Sequence, residues 1–576
     1  MDPTGDSLIR LSIGLTAHRD LAAHEEPALR AAVRGFLEGL RRDFPQLPLR
    51  LVTALAEGGD QLAAEEAVAL GVELLVPLPM KQAEYERDFQ DPQALARFRQ
   101  LIAKADVRVL PMMRGSSLDD IVRRGEDRNR QYAQQGMFVS SHCQILLALW
   151  DGNPSTATGG TAQAVEFHLH NVMSSLSVDQ VAPNLLADDE SDLIYHIGCS
   201  RRVGSKGMPP RIAPLACRWL TVAGTSDASA GMPAHYRHVF GQMEQFNLDM
   251  QRYSARILAE PSPLFEGELP GEPPASARII EGQFSAADWL ALHFQHRVRG
   301  SLLCTHVIAA LMGIAFIAFS DSRSGRWYAG AFLTLFVLGL LLAMMARRRQ
   351  WQRKYLDYRG LAEGLRVQFY WRMAGVEIPA NSSLGYDSFL QKQDVDLSWI
   401  RHAMRGVGLL QDSQFESGPG WLDWVIRHWV GDAAGNGGQL EYFRTGSRQR
   451  ARAFWLTSRI GDLALLGGLL GATALVLGGA RLSSPVQQSL VLAMGLLPLL
   501  SGIREAYSYK KADKELIKQF RFMCRLFESC RERLARSRSH AETRKLLLAL
   551  GGACLEEHAE WILLHRERPL ENAPVA

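Results

Sequence analysis

Three short stretches of this 576-residue chain bring together residue types suited to holding an anion. "SIGLTAHRD" runs from apolar residues into Thr16, His18, Arg19 and Asp20. "ALAEGGD" holds Glu57, Gly58, Gly59 and Asp60, and "WDGNPSTATGGT" holds Asp151, Gly152, Gly159, Gly160 and Thr161. The chemistry they share is phosphate binding. Glycine lets a backbone approach a phosphate closely, and a helix start behind it offers free N–H groups and a positive partial charge. Arg19 adds a guanidinium suited to bidentate contact. Glu57 and Asp60 are the acids placed to act on a ribose or base. Each loop also has a plainer reading. Glycine makes tight strand–helix turns, His18 with Asp20 caps a helix, and Glu57 or Asp60 binds a hydroxyl or caps a helix. Three such loops on one rim favour a phosphate-bearing ligand.

The elements around these loops put them on one rim. "LIRLSIGLT", "PLRLVTALA", "VELLVPLP", "ADVRVLPM", "CQILLALWDG" and "LIYHIG" read as strands. "EEPALRAAVRGFLEGLRRDF", "DQLAAEEAVALG", "RNRQYAQQGMFVSSH" and "TAQAVEFHLHNVM" read as helices between them. That alternation predicts an α/β domain, a parallel sheet covered on both faces, with ligands at the carboxyl ends of its strands. Trp150 is either a stacking surface for a base or part of the core. In "KQAEYERDF", a flap or solvated helix, Tyr85 and Asp88 are expected at most at the rim.

The totals narrow the class. With 64 basic and 61 acidic residues the net charge is +3, so bulk charge does not recommend a nucleic-acid partner. The seven cysteines form no CxxC pair, which points away from a zinc site or a disulfide framework and towards reduced thiols. No metal site and no catalytic residue is assigned. "MDPTGDSLIR" lacks a basic-then-apolar pattern, so no cleavable signal peptide is expected.

Four apolar runs dominate the second half: 301–320, 327–346, 463–480 and 486–503. None carries Asp, Glu, Lys or Arg, and each is roughly 18–20 residues long, enough for a helix to cross a bilayer. They form two hairpins. Basic flanks ("HRVRG", "RRRQWQRK", "RTGSRQRARAFWLTSR", "REAYSYKKADK") lie on one side of both, which predicts a multi-pass inner (plasma) membrane protein with both termini cytoplasmic. His306 reads as a helix-packing residue rather than a proton relay. Gly467, Gly471, Gly468 and Gly478 permit close helix approach, Pro498 a kink, and oligomeric packing into a pore fits these spans better than a transporter.

The N-terminal 200 residues resemble the SLOG superfamily of Rossmann-like domains, on "SIGLTAHRD", "TALAEGGDQLAAEEAVALG", "ELLVPLP" and "ALWDG…GGTAQAVEF". That superfamily includes DNA-processing proteins, cytokinin-activating LOG nucleosidases and the ligand-sensing N-termini of melastatin-type channels. The resemblance implies a nucleotide-derived ligand and a pocket lined by Thr16, His18, Arg19, Gly58, Gly59, Asp60, Gly159, Gly160 and Thr161. Ala17 stands where related sequences often carry glycine. LOG-type nucleosidases resemble PGGxGTxxE in the last loop, whereas this chain reads "TGGTAQAVE". Gln163 and Ala164 sit near the expected place of the acid, and Glu166 falls at a different angle of the helix. A sensor is therefore expected ahead of a hydrolase.

The hairpins, each followed by a cytosolic helix, are similar to the SLATT family of two-span modules, on "YRGLAEGLR" and "LGGACLEEHAEWILLHRERPLE". That resemblance implies a pore-forming effector of bacterial conflict systems. The expected layout is a nucleotide-binding domain at 1–208, a linker and stalk at 209–299, a first hairpin with its cytosolic helix at 300–375, a cytosolic or interfacial helical segment at 376–455, and a second hairpin with cytosolic C-terminal helices at 456–576. The expected function is a membrane sensor–effector with a nucleotide-derived ligand, the lipid bilayer and a second copy of itself as partners. Its rivals are a membrane-anchored nucleotide or nucleoside-phosphate hydrolase, and a transporter or scaffold whose Rossmann-like domain binds nothing.

Overall fold

The computed structural model describes residues 7–113, 118–123, 125–155, 158–170, 192–202, 211–321, 325–376, 397–409, 415, 417–432, 434, 436–478 and 481–567. The expected domain boundary at 208 falls outside these residues, as do residues 377–396 of the expected 376–455 segment.

The first half is built on an eight-stranded sheet in the order β4-β3-β2-β1-β5-β6-β7-β8. β1 (Leu11–Ala17), β2 (Leu49–Val52), β3 (Glu73–Leu78), β4 (Asp106–Val109), β5 (Ile145–Trp150) and β6 (Ile194–Gly198) run parallel. β1 and β5 are central, and their apolar runs are buried on both faces, as helix-covered parallel strands must be. β7 (Cys217–Thr221) and β8 (Gly224–Asp227) add an antiparallel hairpin beyond residue 208, where no strand was expected.

Helices α1 (Glu26–Asp43), α2 (Gly59–Ala69), α3 (Gln82–Tyr85), α4 (Pro92–Ile102), α5 (Leu118–Val122), α6 (Glu126–His142) and α7 (Thr161–His170) fill the connections. α1 buries Leu29, Val33, Phe36, Leu37 and Leu40, the stripe its sequence spacing announces. α4 was not expected. Its signal is local: Asp91 caps Gln93 N (2.9 Å) and Ala94 N (3.3 Å), Pro92 starts the helix, and Phe98 with Leu101 turns inward.

The second half is helical. Four helices are long and apolar enough to cross a membrane: Ala275–Asp321, Arg326–Arg348, Gly438–Gly478 and Ser484–Lys510. Small residues seat them against one another. A Cβ on Gly313 would meet Leu499 Cδ2 at 2.3 Å, and one on Gly468 would meet Pro498 at 2.7 Å. Gly467 faces Leu497, and Gly471 faces Leu490. Gly467, Gly468 and Gly471 therefore pack the third span on the fourth of the same chain, and Gly313 packs the first on the fourth. His306 bonds Leu302 O (2.8 Å) and meets the Tyr507 ring edge-on at 5.3 Å, a helix-packing role.

Below the spans, Trp351–Ala374 is the central stalk helix, buried on nearly every side. Its charges do not lie on outer faces. Arg359 bonds Asp288 (2.8 Å) and Glu363 (2.5 Å), and Arg366 bonds Glu363 (2.6 Å). The sheet and the stalk share one apolar core. Helix Ala234–Ala259 bridges them. Its Asn247 exchanges bonds with Ile9 (3.0 and 2.9 Å), and its Asp249 accepts from Lys354 (2.5 Å) and Tyr358 (2.6 Å). Gln144, just before β5, reaches His402 O in helix Ser398–Gly408 at 3.1 Å. Stalk contacts thus gather at the amino ends of β1 and β5.

Candidate functional site

In the strand order 4-3-2-1-5-6 the chain reverses direction of winding between β1 and β5. The loops leaving those two strands diverge there and open a crevice. A cleft of about 480 Å³ occupies that place. Thr16, His18 and Arg19 line it after β1, Asp60 from the start of α2, Asp151 after β5, and Gly159, Gly160 and Thr161 at the start of α7.

Glu57, Gly58, Gly59 and Gly152 do not line the cleft. Gly58 has φ +92°, and a Cβ there would lie 2.1 Å from Arg19 O. Gly59 donates its N–H to His18 O (3.0 Å), and its Cβ would lie 2.5 Å from that of Ala17. These glycines bring backbone close to backbone, clamping the β2–α2 turn onto the β1 loop. Glu57 points away and accepts from Gln90 N at 3.3 Å. Gly152, φ +79°, makes room for Ile212.

The polar groups of the cleft have distinct states. His18 Nε2 accepts from Asp151 N (3.2 Å) and lies 3.2 Å from Asp151 Oδ1, tying the β1 loop to the β5 loop. Burial lowers the His18 pKa, with Asp151 opposing, so the imidazole is neutral near pH 7. Burial acts to raise that of Asp151, but the Asn153 N–H bond and the neighbouring His18 hold it below the usual carboxylate range. Asp60 is nearly fully buried. Burial pushes its carboxyl up to about 6 although Thr53 Oγ1 (2.9 Å) and Ala56 N (3.4 Å) donate to it.

Arg19 is the open charge. Its guanidinium sits 5.3 Å from the Tyr132 ring centroid, and among the described residues it makes no ion pair. The residue is solvent-exposed yet faces a concave wall. Tyr132 is held from behind: its hydroxyl donates to Asp88, which also takes Arg128 Nη2 at 2.6 Å. Asp20, by contrast, is spent on Arg201, whose Nε stands 3.0 Å from both carboxylate oxygens.

Several cleft residues carried no sequence signal. Tyr132, Gln135 and Gly136 come from the middle of α6, and Arg201 from beyond β6. Only tertiary packing delivers them. Tyr85 lines the cleft but is buried, edge-on to Phe89 and Phe98, while Lys81, Gln82, Ala83 and Arg87 of the same "KQAEYERDF" stretch are exposed. Trp150 packs at 5.3 Å from His196 and donates to Asn153 O (3.1 Å) outside the cleft lining. At the last loop Gln163 Oε1 accepts from Gly159 N (2.9 Å), and Glu166 is on the exposed side of α7. Among the described residues no group of His, Cys, Asp and Glu is arranged to hold a metal ion.

Comparison with known proteins bears on the helical half. A family model described as a protein of unknown function (DUF4231) matches residues 283–377. The matched segment takes in the first two membrane-length helices and the central stalk helix, less than a fifth of the chain. No curated protein matches the sequence.

Proposed function

We propose that this chain is a membrane sensor–effector. Its SLOG-like cleft binds a nucleotide-derived, phosphate-bearing ligand, and its SLATT-like spans respond. The observation that carries the reading is Arg19: a guanidinium that makes no ion pair among the described residues, braced by Tyr132 at the switch point of a parallel sheet and lining one cleft with the start of α7. A phosphate there would meet a fixed cation and a helix N-terminus together. The basic flanks orient both termini to the cytoplasm of a plasma membrane. The spans, assembled as a homo-oligomer, would open or disrupt that membrane, a role fitted to antiphage defence.

The signal has a defined route in this reading. The cleft lies at the carboxyl ends of the strands, and the stalk grips their amino ends through Ile9 and Gln144. Ligand binding would act by favouring one arrangement of sheet on stalk over another. A second reading, hydrolysis of the ligand, draws on Asp60, a buried cleft acid that holds its proton up to about pH 6.

One experiment separates them. Full-length protein in detergent micelles is screened by thermal shift against nucleotides and nucleoside phosphates, and each mixture is then chromatographed. A stabilised protein with its ligand returned intact supports the sensor. A cleaved base or phosphate, lost in Asp60→Asn, supports the hydrolase. No shift with any of them sinks both and leaves the scaffold.

A further inference from the structure

A second cavity, of about 220 Å³, lies in the stalk where the long helices leave their apolar segments. Arg299, Arg450 and Lys510 reach it from the basic ends of the first, third and fourth membrane-length helices, and Tyr355, Gln519 and His558 line it from below. Its charge is unbalanced. The neighbouring Arg359 and Arg366 are already committed to Asp288 and Glu363. Arg299 and Arg450 are not: among the described residues neither makes an ion pair, and Arg450 only covers the Phe520 ring at 4.3 Å. Both act electrostatically on Tyr355, whose phenol accepts from Gln295 at 2.8 Å.

An independent observation points to a ligand. His558 is 9% exposed, and its Nε2 is buried with no hydrogen-bond partner among the described residues. A polar atom buried without a partner destabilises the fold, so such an atom on a cavity wall marks a place for a bonded guest. The Oε1 of Gln519 is in the same condition. An anion would satisfy the first, and a hydroxyl or ammonium beside it the second. Glu557, the remaining acid of the lining, does not neutralise the site. Burial, with Glu363 and Glu560 nearby, raises its pKa to about 8, so it is protonated at neutral pH.

We propose that this cavity is an anion-binding site for a phosphate ester, with Arg299 and Arg450 taking the phosphate and His558 and Gln519 its polar surroundings. It is separate from the cleft at the sheet and stands without it. The phosphate ester would come from a lipid headgroup or from a soluble molecule, since the cavity lies at the level where basic side chains meet a bilayer surface. Bound there, it would join the ends of three membrane helices to the stalk.

The test uses the full chain in phosphate-free dodecyl maltoside micelles and reads the unfolding temperature. One arm adds a minor fraction of phosphatidylglycerol. The other adds inorganic phosphate against chloride at equal ionic strength. A rise of a few degrees is expected in at least one arm, halved or lost in Arg299→Gln/Arg450→Gln and kept in Arg347→Gln/Arg348→Gln, which removes basic charge outside the cavity. A response to phosphatidylglycerol alone identifies a headgroup, and one to inorganic phosphate identifies a soluble source. If the double variant does not fold, Arg299→Gln at its exposed position carries the same criterion. No rise in either arm, or a rise that both double variants alter equally, overturns the proposal.

Discussion

Arg19 and Arg359 use one side-chain chemistry in opposite ways. Arg19 looks into a cleft, lies against Tyr132 and has no acid partner among the described residues. Arg359 is gripped by Asp288 at 2.8 Å and Glu363 at 2.5 Å inside the stalk. A buried charge that is paired becomes part of the scaffold, and removing one partner strands the other. A charge left unpaired at a concave surface can be satisfied by something that arrives. The stalk is built to hold its shape, the cleft to accept a guest.

The largest effect expected from this contrast is in the stalk. Glu363→Ala leaves Arg359 and Arg366 without their shared carboxylate and should cost about 3–5 kcal/mol. Thermal unfolding of the full chain in detergent would read it, and a loss below about 1 kcal/mol would erase the distinction between the two regions. In the cleft, Arg19→Gln should leave the ligand-free unfolding temperature nearly unchanged. It should weaken binding of any phosphate ligand found by the thermal-shift screen by about 1.5–3 kcal/mol, roughly tenfold to a hundredfold.

Asp60 gives a pH-dependent version of the comparison. Its pKa is raised from 3.8 to about 6, so the folded chain keeps a proton that the unfolded chain loses first. Stability from this group therefore falls as pH rises from about 4 to about 6, by something on the order of 2–3 kcal/mol. Asp60→Asn should flatten that part of the curve in denaturant titrations at pH 4 and pH 7. His18 slopes the other way. Its lowered pKa favours the folded state above about 6.5 and costs stability as pH falls, so the measurement is the difference between variant and parent. The smallest effect is expected at Glu166. It is exposed on the outer side of α7, and Glu166→Gln should change neither ligand affinity nor ligand integrity by chromatography.

Much of the cleft was legible before the fold. Thr16, His18, Arg19, Asp60, Asp151, Gly159, Gly160 and Thr161 all reach it because parallel strands deliver their following loops to one edge. Glu57, Gly58, Gly59 and Gly152 were equally visible as motif residues but do other work. Glycine permits close approach of anything, and here the thing approached is the neighbouring loop. Tyr132 and Arg201 were not legible. A tyrosine in mid-helix reads as core until the helix is placed against the sheet. The fate of the stalk charges was not legible for a related reason: helical spacing puts Arg359, Glu363 and Arg366 off the apolar stripe but cannot say whether water or another helix covers them.

What the sequence alone determined is what depends on local order and on solvent. Short apolar runs and period-3.6 apolar patterns set the alternation of strands and helices, and four uncharged apolar runs set the membrane-length helices. Tertiary structure alone decided which surfaces meet. It added β7 and β8 to the sheet, set the third span on the fourth through Gly468 and Pro498, and fused sheet and stalk into one core through Asn247. It also decided which arginines found an acid and which were left facing a cavity. Those outcomes rest on contacts between residues far apart in the chain, and the pattern along a chain carries no record of its distant neighbours.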